Sequence, residues 1–137
     1  MPEKPLSLPQ IRRVLRHMPF NMLVGIRVKE LHEDGLSIEC PLRAELWNGM
    51  GVVHGGVTAT LADAAVGIAL MQRHGGERPA TTVELKVNYL RPAGKGKLTA
   101  RAHLLKAGST LAVGRADVTD DQQQLIATAL VTYMFLR

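Results

Sequence analysis

The residue of this chain best suited to chemistry is Asp63, which lies inside a predicted helix and is flanked by alanines. Burying a carboxylate between Ala62 and Ala64 is costly unless it has a partner or a task. No basic residue lies near it in the helix, which disfavours the alternative of a buried ion pair. A carboxylate in such a place can act as a general base or as a nucleophile. Asp63 is therefore our first candidate for a catalytic residue.

The start of the same helix supplies a second reactive feature. Gly55 and Gly56 lie where the helix must begin, because an apolar stripe follows them. The stripe recurs at three- and four-residue steps and comprises Val57, Leu61, Ala64, Ala65, Ile68 and Met71. The first N–H groups of a helix lack intrahelical partners and carry a partial positive charge, so they can hold a developing oxyanion. The alternative is that both glycines serve only close backbone packing.

The composition restricts the class of protein. The chain has 137 residues, 46% of them apolar and 21% charged, which is typical of one globular domain, taken as residues 1–137. Cys40 is the only cysteine, so we expect a reducing cytoplasm and a buried, unreactive thiol. We find no signal-peptide pattern and no segment apolar enough to span a membrane.

Charge and histidine spacing limit the partners further. The net charge of +5 fits an anionic partner or simply solvated Lys and Arg faces. The aromatic residues are not interleaved with a basic stripe, so no nucleic-acid partner is expected. No two histidines have metal-ligand spacing, so we expect no metal.

An α+β architecture must position these residues. The long helix is predicted over residues 55–74 and ends in a glycine C-cap. Before it, residues 1–20 comprise a leader and a short amphipathic helix that Pro19 ends. Two strands then flank a turn at Asp34-Gly35.

The remainder of the chain alternates as strands, at residues 83–89, 98–104, 111–115 and 125–136. The alternation predicts a buried face in the first of these strands, formed by Val83, Leu85, Val87 and Tyr89. The last strand is apolar on both faces, which suggests that another subunit covers one of them. A curved antiparallel sheet wrapped around one long central helix accounts for this order of elements.

The motif Asn48-x-x-Gly51-x-x-His54-Gly55-Gly56, followed by Leu61-Ala62-Asp63, resembles the signature of a known family. That family is the hotdog-fold acyl-CoA thioesterases of the phenylacetyl-CoA thioesterase (PaaI-like) group. Segments around Pro19-Phe20, Thr82–Leu85 and Tyr89–Pro92 are similar to the family as well, so the likeness covers nearly the whole chain. It implies a hotdog fold and an acyl-CoA substrate, with coenzyme A as part of the substrate and no separate cofactor.

Thioester hydrolysis needs an oxyanion donor, a base or nucleophile, and a group that orients it. The N–H of Gly55 is the candidate donor, and Asp63 would activate water or attack the carbonyl itself. Asn48 would hold the thioester carbonyl or the water through its amide. By resemblance, a hydroxyl at the start of the third strand orients the water. Thr82 fits this position although it lies on the polar parity of the strand, and Thr81 is adjacent.

The spacing of the two main groups has a geometric consequence. Gly55 and Asp63 are eight positions apart, which is roughly 12 Å along a helix axis at ~1.5 Å per residue. The two groups of one chain therefore cannot touch one thioester carbonyl. Two antiparallel copies of the helix would bring Gly55 of one subunit opposite Asp63 of the other. We accordingly expect a homodimer with shared sites, assembled further into a homotetramer.

Six residues are candidates for binding the substrate: Gly56, Trp47, Arg91, Lys106, Gly108 and Ser109. Enzymes that this chain resembles turn the ends of these strands toward coenzyme A, whose phosphates would suit Arg91, Lys106 and the Gly108-Ser109 backbone. The alternative for these residues is an ordinary solvated turn. Trp47 either lines the acyl pocket or caps the core.

Two other functions compete with hydrolysis. A hotdog dehydratase or hydratase would use a histidine and an acid, and His54 and Asp63 supply those residue types, but the dehydratase loop pattern is absent. Since the positive end of a helix disfavours an imidazolium, we expect His54 to fix the loop by hydrogen bonding. A non-catalytic acyl-CoA-binding regulator would keep the groove and lose the acid, which is present here.

Overall fold

The computed structural model describes residues 4–136 of the chain. The helices are α1 (Leu8–Leu15), α2 (Pro19–Val24) and α3 (Gly55–Arg73), and a short 3-10 turn spans Ala44–Leu46. The strands are β1 (Arg27–His32), β2 (Gly35–Pro41), β3 (Ala80–Tyr89), β4 (Lys97–Ala107), β5 (Leu111–Thr119) and β6 (Leu125–Phe135). They form one antiparallel sheet in the order β1-β2-β4-β5-β6-β3. The predicted α+β class is confirmed.

Helix α3 is the centre of the core. It contacts β2, β3, β4, β5 and β6, and its buried side chains include Leu61, Ala65 and Ile68 of the predicted stripe. The helix ends where it was expected to end, because Gly75 and Gly76 adopt positive φ angles of 66° and 79°, which favour glycine.

By length and hydropathy alone, Gly55–Arg73 is long and apolar enough to cross a membrane, so the prediction that no such segment exists was wrong. The core helix of a globular fold passes the same test. In this chain the sheet wraps around α3, which explains its apolar composition.

The N-terminal segment departs from prediction at Pro19. This proline does not end a helix; it begins α2, because its fixed φ and missing N–H suit the first helical position. Helix α1 begins at a capping box between Ser7 and Gln10. Of the predicted leader, residues 1–3 lie outside the described residues, whereas Leu6 is fixed by backbone hydrogen bonding to Gln72.

Strand β3 lies at the edge of the sheet, and the prediction that it has a buried face was wrong. Val83 is 50% exposed and Tyr89 is 54% exposed. A β-bulge between Thr82 and Glu84 inserts one extra residue at Val83. Because of the bulge, Thr82 pairs with the buried Tyr133 and therefore faces α3.

The sheet also leaves apolar side chains on its outer face. Leu130 and Met134 of β6 are exposed, together with Leu111 of β5, which pairs with Met134. The inner face of β6 is buried, as at Val131 and Phe135. The last strand is thus apolar on both faces, as predicted, and one of those faces is open in the single chain.

Candidate active site

Asp63 is held by two hydroxyl groups. Thr82 donates to Oδ1 of Asp63 from 2.8 Å, and the hydroxyl of Tyr133 donates to the same oxygen from 2.7 Å. The Tyr133 hydroxyl also lies 2.9 Å from the backbone carbonyl oxygen of Asp63. Within residues 4–136, neither Arg nor Lys pairs with Asp63, and Oδ2 receives no hydrogen bond. The carboxylate is thus fixed at one oxygen and open at the other.

Tyr133 was not among the predicted site residues. It comes from β6, seventy residues along the chain, where it reads as one more apolar core position. Burial raises the pKa of Tyr133 well above its usual range, so its hydroxyl stays protonated and remains a donor. The one local signal is Gly67, four residues after Asp63, where a Cβ would lie only 2.4 Å from the Tyr133 hydroxyl.

The beginning of α3 forms the second group of interest. The N–H of Gly55 meets no acceptor among the described residues, whereas the Gly55 carbonyl accepts a 2.6 Å hydrogen bond from Tyr89. The N–H of Gly56 donates to Nδ1 of His54 from 2.8 Å. His54 is therefore the N-cap of α3, and Gly56 has no backbone donor left for a substrate. Tyr89 is a second residue that sequence reasoning missed.

The loop before α3 is closed by Asn48. Its side-chain oxygen accepts from the N–H of Met50 at 2.9 Å and from that of Val52 at 3.4 Å. The backbone N–H of Asn48 donates to the Val52 carbonyl at 2.7 Å. The amide oxygen of Asn48 thus holds the loop, which leaves its Nδ2 as the group able to donate to a substrate.

Two separate clefts contain the candidate residues. The acid cleft, of about 300 Å³, contains Asp63 and Tyr133. Its other lining residues are mostly apolar: Met18, Phe20, Ala64, Gly67, Ile68, Met71 and Ala80, with Asn21 and Thr60. The glycine cleft, of about 330 Å³, contains Gly55, Tyr89 and Arg91. The two clefts share no lining residue, so one chain does not bring Gly55 and Asp63 together.

The predicted coenzyme A residues also lie apart within one chain. Arg91 lines the glycine cleft, next to Tyr89, which pairs with Ala127 of β6. Lys106, Gly108 and Ser109 lie at the β4–β5 turn, which leads into Leu111 opposite Met134 of β6. Ala127 and Met134 are seven positions apart on β6, which is roughly 23 Å at ~3.3 Å per residue. One chain therefore does not place Arg91 beside the turn.

Some backbone polar groups of the β4–β5 turn are already hydrogen-bonded within the chain. The N–H of Gly108 donates to the Leu111 carbonyl at 2.9 Å, and the Ser109 carbonyl accepts from Arg78 at 2.9 Å. Arg78 is a cation at this turn that the sequence did not indicate. Trp47 donates its indole N–H to the Gly94 carbonyl at 3.0 Å and lines neither cleft.

In the part of the chain that the structure describes, no three His, Cys, Asp or Glu side chains lie close enough together to bind a metal ion. Cys40 is buried, as predicted, and its burial raises the pKa of the thiol. The groups at hand are therefore a carboxylate, hydroxyls, a backbone N–H and an amide.

Several known proteins are similar to this chain in sequence and in fold. A family model described as the thioesterase superfamily matches residues 50–127. The chain is 31% identical over 134 residues to the medium/long-chain acyl-CoA thioesterase YigI of Escherichia coli K12, with 86% of each chain covered. The solved structure of zebrafish thioesterase superfamily member 2 superposes with a TM-score of 0.86 at 28% identity, covering 96% of this chain and 99% of that one.

A PaaI structure extends the likeness. The structure of a variant of the phenylacetic acid degradation protein PaaI from Thermus thermophilus gives a TM-score of 0.77 at 28% identity. It covers 86% of this chain and 99% of the PaaI chain. The predicted resemblance to PaaI-like thioesterases is confirmed. The chain belongs to the thioesterase superfamily and is a hotdog-fold thioester hydrolase.

Proposed function

We propose that this protein hydrolyses an acyl-CoA thioester to the free acid and coenzyme A. The observation that carries the proposal is the state of Asp63, a carboxylate fixed at Oδ1 by Thr82 and Tyr133 and open at Oδ2 in an apolar cleft. The N–H of Gly55 at the start of α3, which meets no acceptor within residues 4–136, supplies the complementary oxyanion donor. The name of the Escherichia coli relative, an acyl-CoA thioesterase, supports the same substrate class.

The reaction follows from these groups. Acting as a general base, Asp63 takes a proton from water while the water oxygen bonds to the thioester carbon, and the oxyanion forms against the Gly55 N–H. The C–S bond then breaks, and the coenzyme A thiolate leaves and takes a proton. Attack by Asp63 itself, followed by hydrolysis of the anhydride, gives the same products. Neither route requires a cofactor.

The complete site is a property of two chains. Gly55 and Asp63 are eight positions apart on α3, roughly 12 Å at ~1.5 Å per residue, and the two groups line different clefts. An antiparallel pair of α3 helices would set each glycine cleft against the partner's acid cleft. The free edge of β3, with exposed apolar residues such as Val83 and Leu85, supports this homodimer. The outer face with Leu130 and Met134 supports its assembly into a homotetramer.

The same pairing accounts for coenzyme A recognition. Arg91 of one chain and Lys106 of the other would approach one substrate, although they lie far apart within a chain. The backbone polar atoms of Gly108 and Ser109 that make no hydrogen bond within the turn would bind coenzyme A. Asn48 would donate from Nδ2 to the thioester carbonyl.

We place the enzyme in the cytoplasm, where coenzyme A esters and a free Cys40 thiol are both expected.

The acyl group is apolar. Met18, Phe20, Ile68 and Met71 line the acid cleft, and the cleft offers no cation that would bind a charged acyl tail. A medium-chain or aromatic acyl group suits these walls. The Escherichia coli relative is named for medium and long chains, which supports the first of these two classes.

The test is release of free thiol from a panel of aryl- and alkyl-CoA thioesters, with chelator present and no cofactor added. We expect turnover by the wild type and a fall of about 10³-fold or more for Asp63→Asn and Asp63→Ala, both folded and assembled. Full activity of Asp63→Asn would refute the role of the acid. Tight binding of acyl-CoA without turnover by the wild type would favour the non-catalytic regulator.

A further inference from the structure

We propose that Tyr133 is a positioning residue for the hydrolysis, which fixes the rotamer of Asp63 so that Oδ2 faces the substrate. The inference rests on the proposed function, since it assigns to Tyr133 a role in that reaction. Tyr133 acts through Asp63 and is not assigned a contact with the substrate.

The two oxygens of the Asp63 carboxylate have different surroundings. Tyr133 and Thr82 both donate to Oδ1, at 2.7 and 2.8 Å, so both sit on one side of the carboxylate. Among residues 4–136 no group donates to Oδ2. A carboxylate held only by Thr82 could still turn about its terminal torsion, because that torsion is broad. The second hydroxyl removes this freedom and leaves Oδ2 toward the cleft.

The same Tyr133 hydroxyl also contacts the helix backbone. The Tyr133 oxygen lies 2.9 Å from the Asp63 carbonyl oxygen as well as 2.7 Å from Oδ1. The hydroxyl proton can therefore be shared between the two acceptors, which links the side chain of Asp63 to its own backbone. Tyr133 is 9% exposed and is paired with Thr82 and Ala112 across the sheet, so its ring is fixed from the strand side.

Helix α3 leaves space for this hydroxyl at Gly67. Gly67 follows Asp63 by about one helical turn, so it lies on the same face of α3. A Cβ at Gly67 would lie 2.4 Å from the Tyr133 oxygen and 3.0 Å from Cζ. A glycine inside a helix is destabilising relative to alanine. This helix has a glycine at the one position where a methyl group would displace the hydroxyl.

The test is steady-state hydrolysis by Tyr133→Phe, which removes one oxygen and keeps the ring. We expect kcat to fall about 10- to 100-fold with KM within about twofold of the wild type, since the loss concerns the reacting carboxylate and not substrate binding. The matched control is Thr128→Val on the same strand, which removes a hydroxyl that donates to Asp117 at 2.8 Å. We expect kcat of the control to stay within about twofold of the wild type.

A substitution in α3, Gly67→Ala, tests the same Tyr133 hydroxyl. Gly67→Ala leaves Tyr133 in place and forces its hydroxyl away from Asp63, so it should lower kcat as Tyr133→Phe does. Because both changes remove one interaction, Gly67→Ala combined with Tyr133→Phe should lose little more kcat than Tyr133→Phe alone.

The outcomes separate this inference from the proposed function. An inactive Asp63→Asn beside folded Tyr133→Phe and Gly67→Ala with unchanged kcat overturns the role of Tyr133 alone. An active Asp63→Asn, or a wild type that releases no thiol, overturns the proposed function and the role of Tyr133 with it. Loss of kcat in both Tyr133→Phe and Gly67→Ala, with Thr128→Val unchanged, supports the inference.

Discussion

At the scale of single residues, the candidate site consists of a few polar groups. In each of them one atom is held by a hydrogen bond, and the neighbouring atom has no partner among the described residues. His54 caps α3 through the N–H of Gly56, so the adjacent N–H of Gly55 is left without an acceptor in the described chain. Tyr133 and Thr82 occupy one oxygen of Asp63 and leave the other open. Hydrogen bonds at the Gly56 N–H and at Oδ1 of Asp63 thus leave the Gly55 N–H and Oδ2 as the atoms that we propose contact the substrate or the water.

Sequence alone identifies the residues that are locally unusual. Asp63 is conspicuous as an acid among alanines, and Gly55 as a glycine at a helix start. Tyr133 and Tyr89 were missed because a tyrosine on a strand is an ordinary core residue until its hydroxyl has a partner from a distant segment. The orientation of Thr82 depends on the bulge at Val83, and strand alternation carries no signal for an inserted residue.

The backbone donor at Gly55 can be removed by a single substitution. Proline lacks the N–H and suits the first position of a helix, and His54 already has the extended conformation that precedes proline, with φ −63° and ψ 134°. We expect Gly55→Pro to lower kcat by about 10²-fold or more. Gly55→Ala adds a Cβ and keeps the N–H, so it should retain most of the activity. Equal losses in the two variants would show that the N–H is not the oxyanion donor.

The Asp34 carboxylate gives a prediction about pH. Hydrogen bonds from Arg101 and then from His103 hold the pKa of Asp34 well below its usual range. A pKa that folding lowers adds stability above the unfolded value of about 3.9, and that stability is lost as the pH falls below it. Asp34 is 47% exposed, so Asp34→Asn should lower the free energy of unfolding by less than about 1 kcal/mol at pH 7.

Urea unfolding of the wild type and of Asp34→Asn at a series of pH values measures this contribution. The difference between the two proteins should shrink as the pH falls below about 4. A difference that stays constant from pH 7 to pH 3 would mean that the charge of Asp34 is not its source.

At the scale of elements, the sheet must lie very close to α3 for its side chains to reach Asp63. Gly114 of β5 marks the closest approach, because a Cβ there would lie 2.7 Å from Cγ1 of Val66. Both residues are buried, so neither can move aside freely. The existence of the strands and their order along the chain were predictable from alternation and turns. The edge position of β3 was not, because pairing partners are set by the whole sheet.

Substitution at Gly114 tests this close packing. We expect Gly114→Ala to lower the free energy of unfolding by about 1–3 kcal/mol, the usual effect of an inserted methyl group in a filled core. Gly49→Ala is the matched control, since a Cβ at Gly49 meets nothing within 4 Å, and it should change stability by less than about 0.5 kcal/mol. Urea unfolding provides both values, and equal values for the two variants would contradict the packing argument.

At the scale of the whole molecule, the candidate catalytic residues Gly55 and Asp63 of one chain lie in two separate clefts. The glycine cleft and the acid cleft share no lining residue, and of the two candidate coenzyme A cations Arg91 lines the glycine cleft whereas Lys106 lies near the β4–β5 turn. The sequence predicts a second copy, because helix geometry alone separates Gly55 from Asp63. The contact surface that we propose for it has no signal in the sequence, because it depends on the edge position of β3.

The assembly can be measured directly by sedimentation equilibrium. We expect a particle of at least twice the 14.9 kDa of one chain at micromolar concentration, and a homotetramer where the outer sheet face also pairs. A single 14.9 kDa species that is fully active would contradict the shared site.

Subunit mixing tests the central claim most directly. Gly55→Pro and Asp63→Asn should each be almost inactive alone. In a mixed dimer one site has both defects and the other has neither, so refolding a 1:1 mixture should restore about a quarter of the wild-type rate of thiol release. If the catalytic groups of each site came from one chain, every site in the mixture would have one defect. A rate that stays at the level of the separate variants would contradict the account.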